Sequence, residues 1–176
     1  MESNVQIELK RFRDYVIQQA RSNLTKSKKN SSKELYNSLN GEVKVFPNSI
    51  GLYFEMKDYG IYQDKGVKGA NPSMVKNGKQ KAPNSPYSYK SKFPPTKSLD
   101  KWIVRKGIAP KDAKGKFISR QSLKYLIARS IYAQGIAPSH FFTKPFERAY
   151  KKLPDELIDK YGLDVIRLFN NITLIK

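Results

Sequence analysis

Cysteine is absent from this chain, and histidine occurs once, at His140. The first absence excludes disulfides and thiolate metal sites and fits a reducing cytoplasm. The second leaves too few nitrogen ligands for a zinc centre. His140 stands between Ser139 and two phenylalanines, where a lone histidine reads as a hydrogen-bonded packing residue. No nucleophile elbow or triad pattern accompanies it. Long apolar runs are missing too: no segment approaches the roughly 18 residues that a membrane helix needs. The opening MESNVQIELKRFRDY has no apolar h-region, so no signal peptide is expected. Neither a membrane nor a cofactor is expected as a partner.

Acidic residues are scarce and unevenly placed. Between Lys65 and Lys144 the only acids are Asp100 and Asp112, against eighteen Lys and Arg, so this segment carries +16 of the net charge of +19. The flanks are close to balanced. A basic middle on a near-neutral scaffold attracts nucleic acid, an anionic surface or an acidic protein. With 39% hydrophobic residues in 176, the chain is long and apolar enough for one domain with one core.

Residues 4–26 have helical periodicity, with Val5, Leu9, Phe12, Val16, Ala20 and Leu24 on one stripe. After the polar break TKSKKNSS, Ser31 or Ser32 can cap a short helix from Lys33 to Leu39, which Asn40-Gly41 ends. Val43 and Val45 then alternate, Pro47-Asn48-Ser49 signals a turn, and Ile50, Leu52, Phe54 and Met56 share one face. This pattern predicts an antiparallel hairpin. Six of the ten prolines fall between Pro72 and Pro110, and residues 65–95 show little periodicity. Such a long loop is functional or disordered as a rule. Tyr87, Tyr89 and Phe93 favour an extended basic arm that orders against a partner. Helical pattern returns at Lys97, with Leu99, Trp102 and Ile103 on one face and Gly107 as its end. A second helix runs from Ser119, its N-cap, to Gln134, with Leu123, Leu126, Ile127 and Ile131 as its stripe and Gly135 as its stop. The segment IAPSHFFTKPFERAY begins as a strand or tight turn. Pro154 opens a C-terminal helix and tail, 154–176, lined by Leu157, Ile158, Tyr161, Val165 and Leu168. The sum is an α+β fold: a small, mostly antiparallel sheet packed by the N-terminal helix and later helices, with a long basic loop.

Three chemistries can be weighed on these residues. Glu55-Met56-Lys57 matches half of a carboxylate–lysine nuclease motif, in which acids hold magnesium and the lysine steadies the attacking water. Residues 43–54 contain no acid to complete it, so Glu55 and Lys57 read as the solvent face of a strand. The stretch DKGVKGANP has neither a Walker pattern nor a helix start behind it, and Gly66 and Gly69 read as turn glycines. The arm is the stronger candidate. Lys65, Lys68, Lys76, Lys79, Lys81, Lys90 and Lys92 interleave with Tyr87, Tyr89 and Phe93, a pattern suited to phosphates and stacked bases. The arm contains no arginine, which disfavours bidentate phosphate gripping. Docking on an acidic protein neighbour and a solvated surface stay open beside it. DYGIYQDKGVKG, residues 58–69, reads as a strand exit: Tyr59, Ile61 and Tyr62 tuck under the sheet edge while Gly66 and Gly69 turn the chain outward.

The order of these parts resembles the neck, head–tail joining and tail-completion (minor tail) proteins of tailed bacteriophages. The likeness lies in the second hairpin strand running into Tyr59-Gly60-Ile61-Tyr62-Gln63-Asp64-Lys65-Gly66, and in a Trp102, Lys106, Gly107 helix. It continues through Ile127, Ala128, Ile131, Gly135 and Ile136, and through Pro138-Ser139-His140-Phe141-Phe142-Thr143-Lys144-Pro145-Phe146. It spans roughly residues 1–153. Asp64 and Lys65 replace the family's usual Glu-Phe pair, and His140 replaces its common Arg. The resemblance implies a non-enzymatic ring protein of the virion head–tail junction, present in the host cytoplasm before assembly. Its partners would be its own copies and portal, adaptor or tail-tube proteins. It further implies assembly contacts at Tyr62, Lys65, Lys68, Tyr87, Tyr89, Phe93, Phe141 and Phe142, and a DNA-facing set of Lys76, Lys79, Lys81, Lys90 and Lys92. A standalone basic nucleic-acid-binding protein is the alternative.

Overall fold

The computed structural model describes residues 3–29, 31–47, 49–75, 78–111 and 114–161. The fold is α+β, with two separate two-stranded antiparallel sheets among the described residues. Contacts divide the chain into two compact units, where the sequence alone suggests one domain. Unit 1 combines residues 1–57 with 141–176, and unit 2 is the intervening Asp58–His140.

Unit 1 is built on α1, Asn4–Lys26. Ser3 and Gln6 form a reciprocal capping box that satisfies two of the helix's free N–H groups. Leu9, Phe12, Val16, Ala20 and Leu24 are its buried face, as the spacing predicts. The short α2, Glu34–Ser38, contributes Leu35 to the core. The helix stops at Leu39, whose backbone is extended. Asn40-Gly41 therefore opens the next strand, where a helix-ending role is expected of it.

Strands β1, Asn40–Phe46, and β2, Ser49–Glu55, pair antiparallel with Val43 opposite Leu52 and Val45 opposite Ile50. One core cluster gathers Ala20, Leu24, Leu35, Leu39 and Phe141. Another gathers Leu9, Phe12, Val16 and Leu153, with Val43, Leu52, Phe54, Phe142 and Phe146 packed against it. Phe12, Phe54, Phe142 and Phe146 meet largely edge to face at centroid distances of 5.3–6.4 Å, a geometry worth about 0.5–1.5 kcal/mol per pair beyond area burial. Helix α6, Thr143–Tyr150, supplies Phe146 to this cluster. The sequence reading leaves that helix out. Residues 153–161 are helical; Leu157 packs on the core, whereas Ile158 and Tyr161 are exposed. Val165 and Leu168 lie outside the described residues.

Phe141 is thus not free for assembly, while Phe142 is half-buried against both core clusters. Phe141 has 0% exposure, and the side-chain amide of Asn23 donates to its carbonyl at 3.2 Å.

Unit 2 contains α3, Tyr59–Lys65; β3, Val67–Lys68; α4, Thr96–Arg105; α5, Arg120–Gln134; and β4, Gly135–Ile136. The stretch DYGIYQDK forms a helix, not a strand exit. Gly60 and Asp64 are its buried residues, while Tyr59, Ile61 and Tyr62 are exposed and do not tuck inward. Ser119 caps α5 by accepting from the Ser122 N–H at 3.0 Å. The buried residues of α5 are Leu123, Ala128 and Ala133; Leu126, expected on the stripe, is exposed. Among the described residues, no helix is long and apolar enough to cross a membrane.

Candidate functional site

The basic segment is the natural place to look for function, and its described residues fold back on unit 2. Helix α3 ends at Gly66, whose φ of +74° favours glycine. Val67 and Lys68 then pair with Ile136 and Gly135. On the other side of Lys68, its N–H donates to the Tyr87 carbonyl at 2.7 Å, and its carbonyl accepts from the Tyr89 N–H at 2.9 Å. The Gln80 side chain acts as one further strand-like partner. Its Oε1 accepts from the Gly69 N–H at 2.6 Å and its Nε2 donates to the Gly69 carbonyl at 3.0 Å. Ala70 N–H donates to Tyr132 and Lys81 N–H to Gln134. Ser85 is buried; its hydroxyl donates to the Gly66 carbonyl at 2.7 Å and accepts from the Tyr87 N–H at 3.1 Å. The described residues of the 65–95 segment form a laced layer here, where the sequence alone suggests an extended arm.

The expected aromatic anchors follow the same logic. Tyr87 meets Tyr62 edge to face at 4.7 Å. Tyr89 lies against Tyr132 at 6.1 Å, and burial pushes its phenol above the ordinary range. Phe93 stacks on Tyr132 at 4.3 Å and on Tyr125 at 6.3 Å. The Tyr132 hydroxyl donates to the Lys90 carbonyl at 2.7 Å, fixing the segment that carries Phe93.

The lysines do not share this burial. Lys65, Lys79, Lys81, Lys90 and Lys92 are exposed and Lys68 is half-buried. Lys76 lies outside the described residues. The acids of unit 2 do little to offset them. Asp64 is buried, and its carbonyl accepts from the Ser139 and His140 N–H groups at 3.1 and 2.9 Å. Asp100 Oδ1 lies 3.5 Å from both Arg120 Nε and Lys124 Nζ. His140 takes a left-handed φ of +49° at this turn.

Unit 1 offers a different surface. Val45, Phe46 and Ile50, at the hairpin tip, are 58%, 43% and 36% exposed. Val45 and Ile50 continue the inward face of Val43 and Leu52 past the end of its core packing. On the opposite face, Lys44 pairs with Glu42 at 3.2 Å and lies over the Tyr53 ring. Glu55 and Lys57 are exposed. No group of three or more His, Cys, Asp or Glu able to hold a metal occurs among the described residues.

Sequence reasoning missed Tyr125, Tyr132, Gln80 and Ser85. The tyrosines had a signal, since positions seven apart on a helix share a face. Gln80 and Ser85 act on backbone groups eleven and nineteen residues away and carried none. Compared with family models, with curated proteins and with solved structures, the chain matches none.

Proposed function

We propose that this protein is a structural subunit of a tailed-phage head–tail connector, forming a ring through copies of itself and docking on portal, adaptor or tail-tube proteins. The observation that carries the reading is the hairpin tip of unit 1. Val45 and Ile50 extend an apolar face beyond the core that covers the rest of it, and Phe46 adds an exposed ring on the other face of the tip. An apolar projection of this kind is costly to leave in water and suits burial against a neighbour. The two outer edges of the hairpin carry no further strand among the described residues, so backbone groups are available for pairing as well. The ordered motifs from Tyr59 to Phe146 support the same assignment. On this reading the contact set keeps the outward-facing Tyr62 and Lys65 and gains the hairpin tip. The protein acts by interface burial, without a reaction, at the virion head–tail junction.

Native mass measurement and negative-stain imaging at micromolar concentration test it. Wild type assembles into closed rings, alone or with portal and tail-tube proteins added. A Val45→Lys, Ile50→Lys double variant remains monomeric with an unchanged melting temperature. A chain that stays monomeric with those neighbours present overturns the assignment.

A further inference from the structure

Unit 2 holds seventeen Lys and Arg against four acids. Of those acids, Asp64 is buried and Asp100 lies between two cations. A second feature sits on this cationic unit. Tyr125 and Tyr132 stand seven residues apart on α5, a rise of about 10.5 Å along the helix. Phe93 fills the gap between them, with interplanar angles of 19° to Tyr125 and 17° to Tyr132. Three nearly parallel rings therefore run along one helix face. The ladder is not closed over: Phe93 is 42% exposed and Tyr125 56%. Lys90 and Lys92, which flank Phe93 in sequence, are exposed and make no ion pair among the described residues.

We infer that this ladder and its lysines form a binding site for single-stranded nucleic acid, a role that does not rest on ring assembly. Exposed ring faces select unpaired bases, because bases in a duplex are already stacked and present only their edges. Tyr125, at the open end of the ladder, takes the first base, and Phe93 supports it from behind. Lys90 and Lys92 meet the phosphates as point charges, without the bidentate geometry that arginine would impose. Recognition is then by stacking and charge and tolerates sequence. The positive field of unit 2 favours a polyanion, while an acidic protein would leave the aromatic faces without a flat partner.

Fluorescence anisotropy with the full chain tests the site, using a labelled oligothymidylate of about sixteen nucleotides, the upper range for one binding module. The single strand binds more tightly than a duplex of equal charge. Tyr125→Ala weakens single-strand binding by roughly 5- to 150-fold, the usual worth of one base–aromatic stack, and Tyr125→Phe restores it. Tyr125 is more than half exposed, so Tyr125→Ala lowers the melting temperature by only a few degrees, the worth of its contact with Phe93, and Tyr125→Phe keeps the wild-type value. Replacing Lys90 and Lys92 with Gln reduces the salt slope by about 1.4, or about 0.7 per phosphate lost. Equal affinity for duplex with no effect of Tyr125→Ala overturns the site and leaves only diffuse charge attraction. Displacement by polyglutamate at equal charge concentration overturns it in favour of an acidic protein partner.

Discussion

Replacing Phe141 with Ala separates a core residue from an assembly contact. Phe141 has no exposed surface and lies among Ala20, Leu24, Leu35 and Leu39. A buried Phe→Ala change costs about 3–5 kcal/mol, from lost transfer energy plus the cavity left behind. Two features place this site toward the lower half of that range. Helix α2 is only five residues long and holds one buried residue, Leu35, so it can shift to fill part of the void. The Asn23 hydrogen bond reaches the Phe141 carbonyl, so the backbone bond survives the substitution. A loss of about 3 kcal/mol is a large part of the roughly 5–15 kcal/mol that stabilises a typical domain. Urea unfolding followed by circular dichroism reads it directly. With a slope of about 1–3 kcal/mol per molar, the midpoint falls by about 1–3 M. A shift below about 0.3 M, with wild-type cooperativity kept, would refute the core placement and return Phe141 to the surface.

Two further substitutions probe unit 2. Gly135→Ala would place a β-carbon 2.0 Å from the Val67 carbonyl oxygen, at a φ of +85°. The β3–β4 pairing must then open, and the melting temperature drops sharply. Gly107→Ala, at φ +62° with nothing within 4 Å, pays only the left-handed conformational cost of about 1–2 kcal/mol; equal melting temperatures for the two variants would contradict the pairing. Tyr89 tests the titration. Burial raises its phenol above the ordinary 10.0, so the folded chain keeps this proton after the unfolded chain has lost its own. The resulting stabilisation is complete below about pH 10 and is lost as pH rises through the folded value. Tyr89→Phe removes a late-titrating component from the tyrosinate absorbance, and the same variant flattens the alkaline fall in stability.

Much of unit 1 is legible in the sequence because its signals are local. The stripe from Leu9 to Leu24 and the alternation of Val43 with Leu52 and Phe54 follow helix and strand periods that one hydrophobic face imposes. Ser119 announces α5 for the same reason. Helix α3 is hidden because Tyr59, Ile61 and Tyr62 favour strands, and tertiary packing of Gly60 and Asp64 overrides that preference. Helix α6 is hidden by Pro145, which reads as a breaker but sits in the first turn, where the missing N–H costs nothing. The layer formed by the described residues of the 65–95 segment depends on bonds such as Lys68 to Tyr87 and Ala70 to Tyr132. Those are long-range pairings between irregular segments, and no period marks them. The lysines of the candidate site are plain in the sequence; the ladder that gives them a second chemistry depends on Phe93 meeting α5.

The backbone bonds from Ser139 and His140 to Gln63 and Asp64 also bear on the order of folding. Unit 1 is split by an insertion of about eighty residues, and closing so long a loop is entropically costly. Once unit 2 has formed, these bonds clamp the two ends of the insertion together. The tether between the halves of unit 1 then shortens to about nine residues, which lowers the closure cost by about 2 kcal/mol. The inserted unit thus serves as a splint: its own folding brings Phe141 within reach of the helix that buries it.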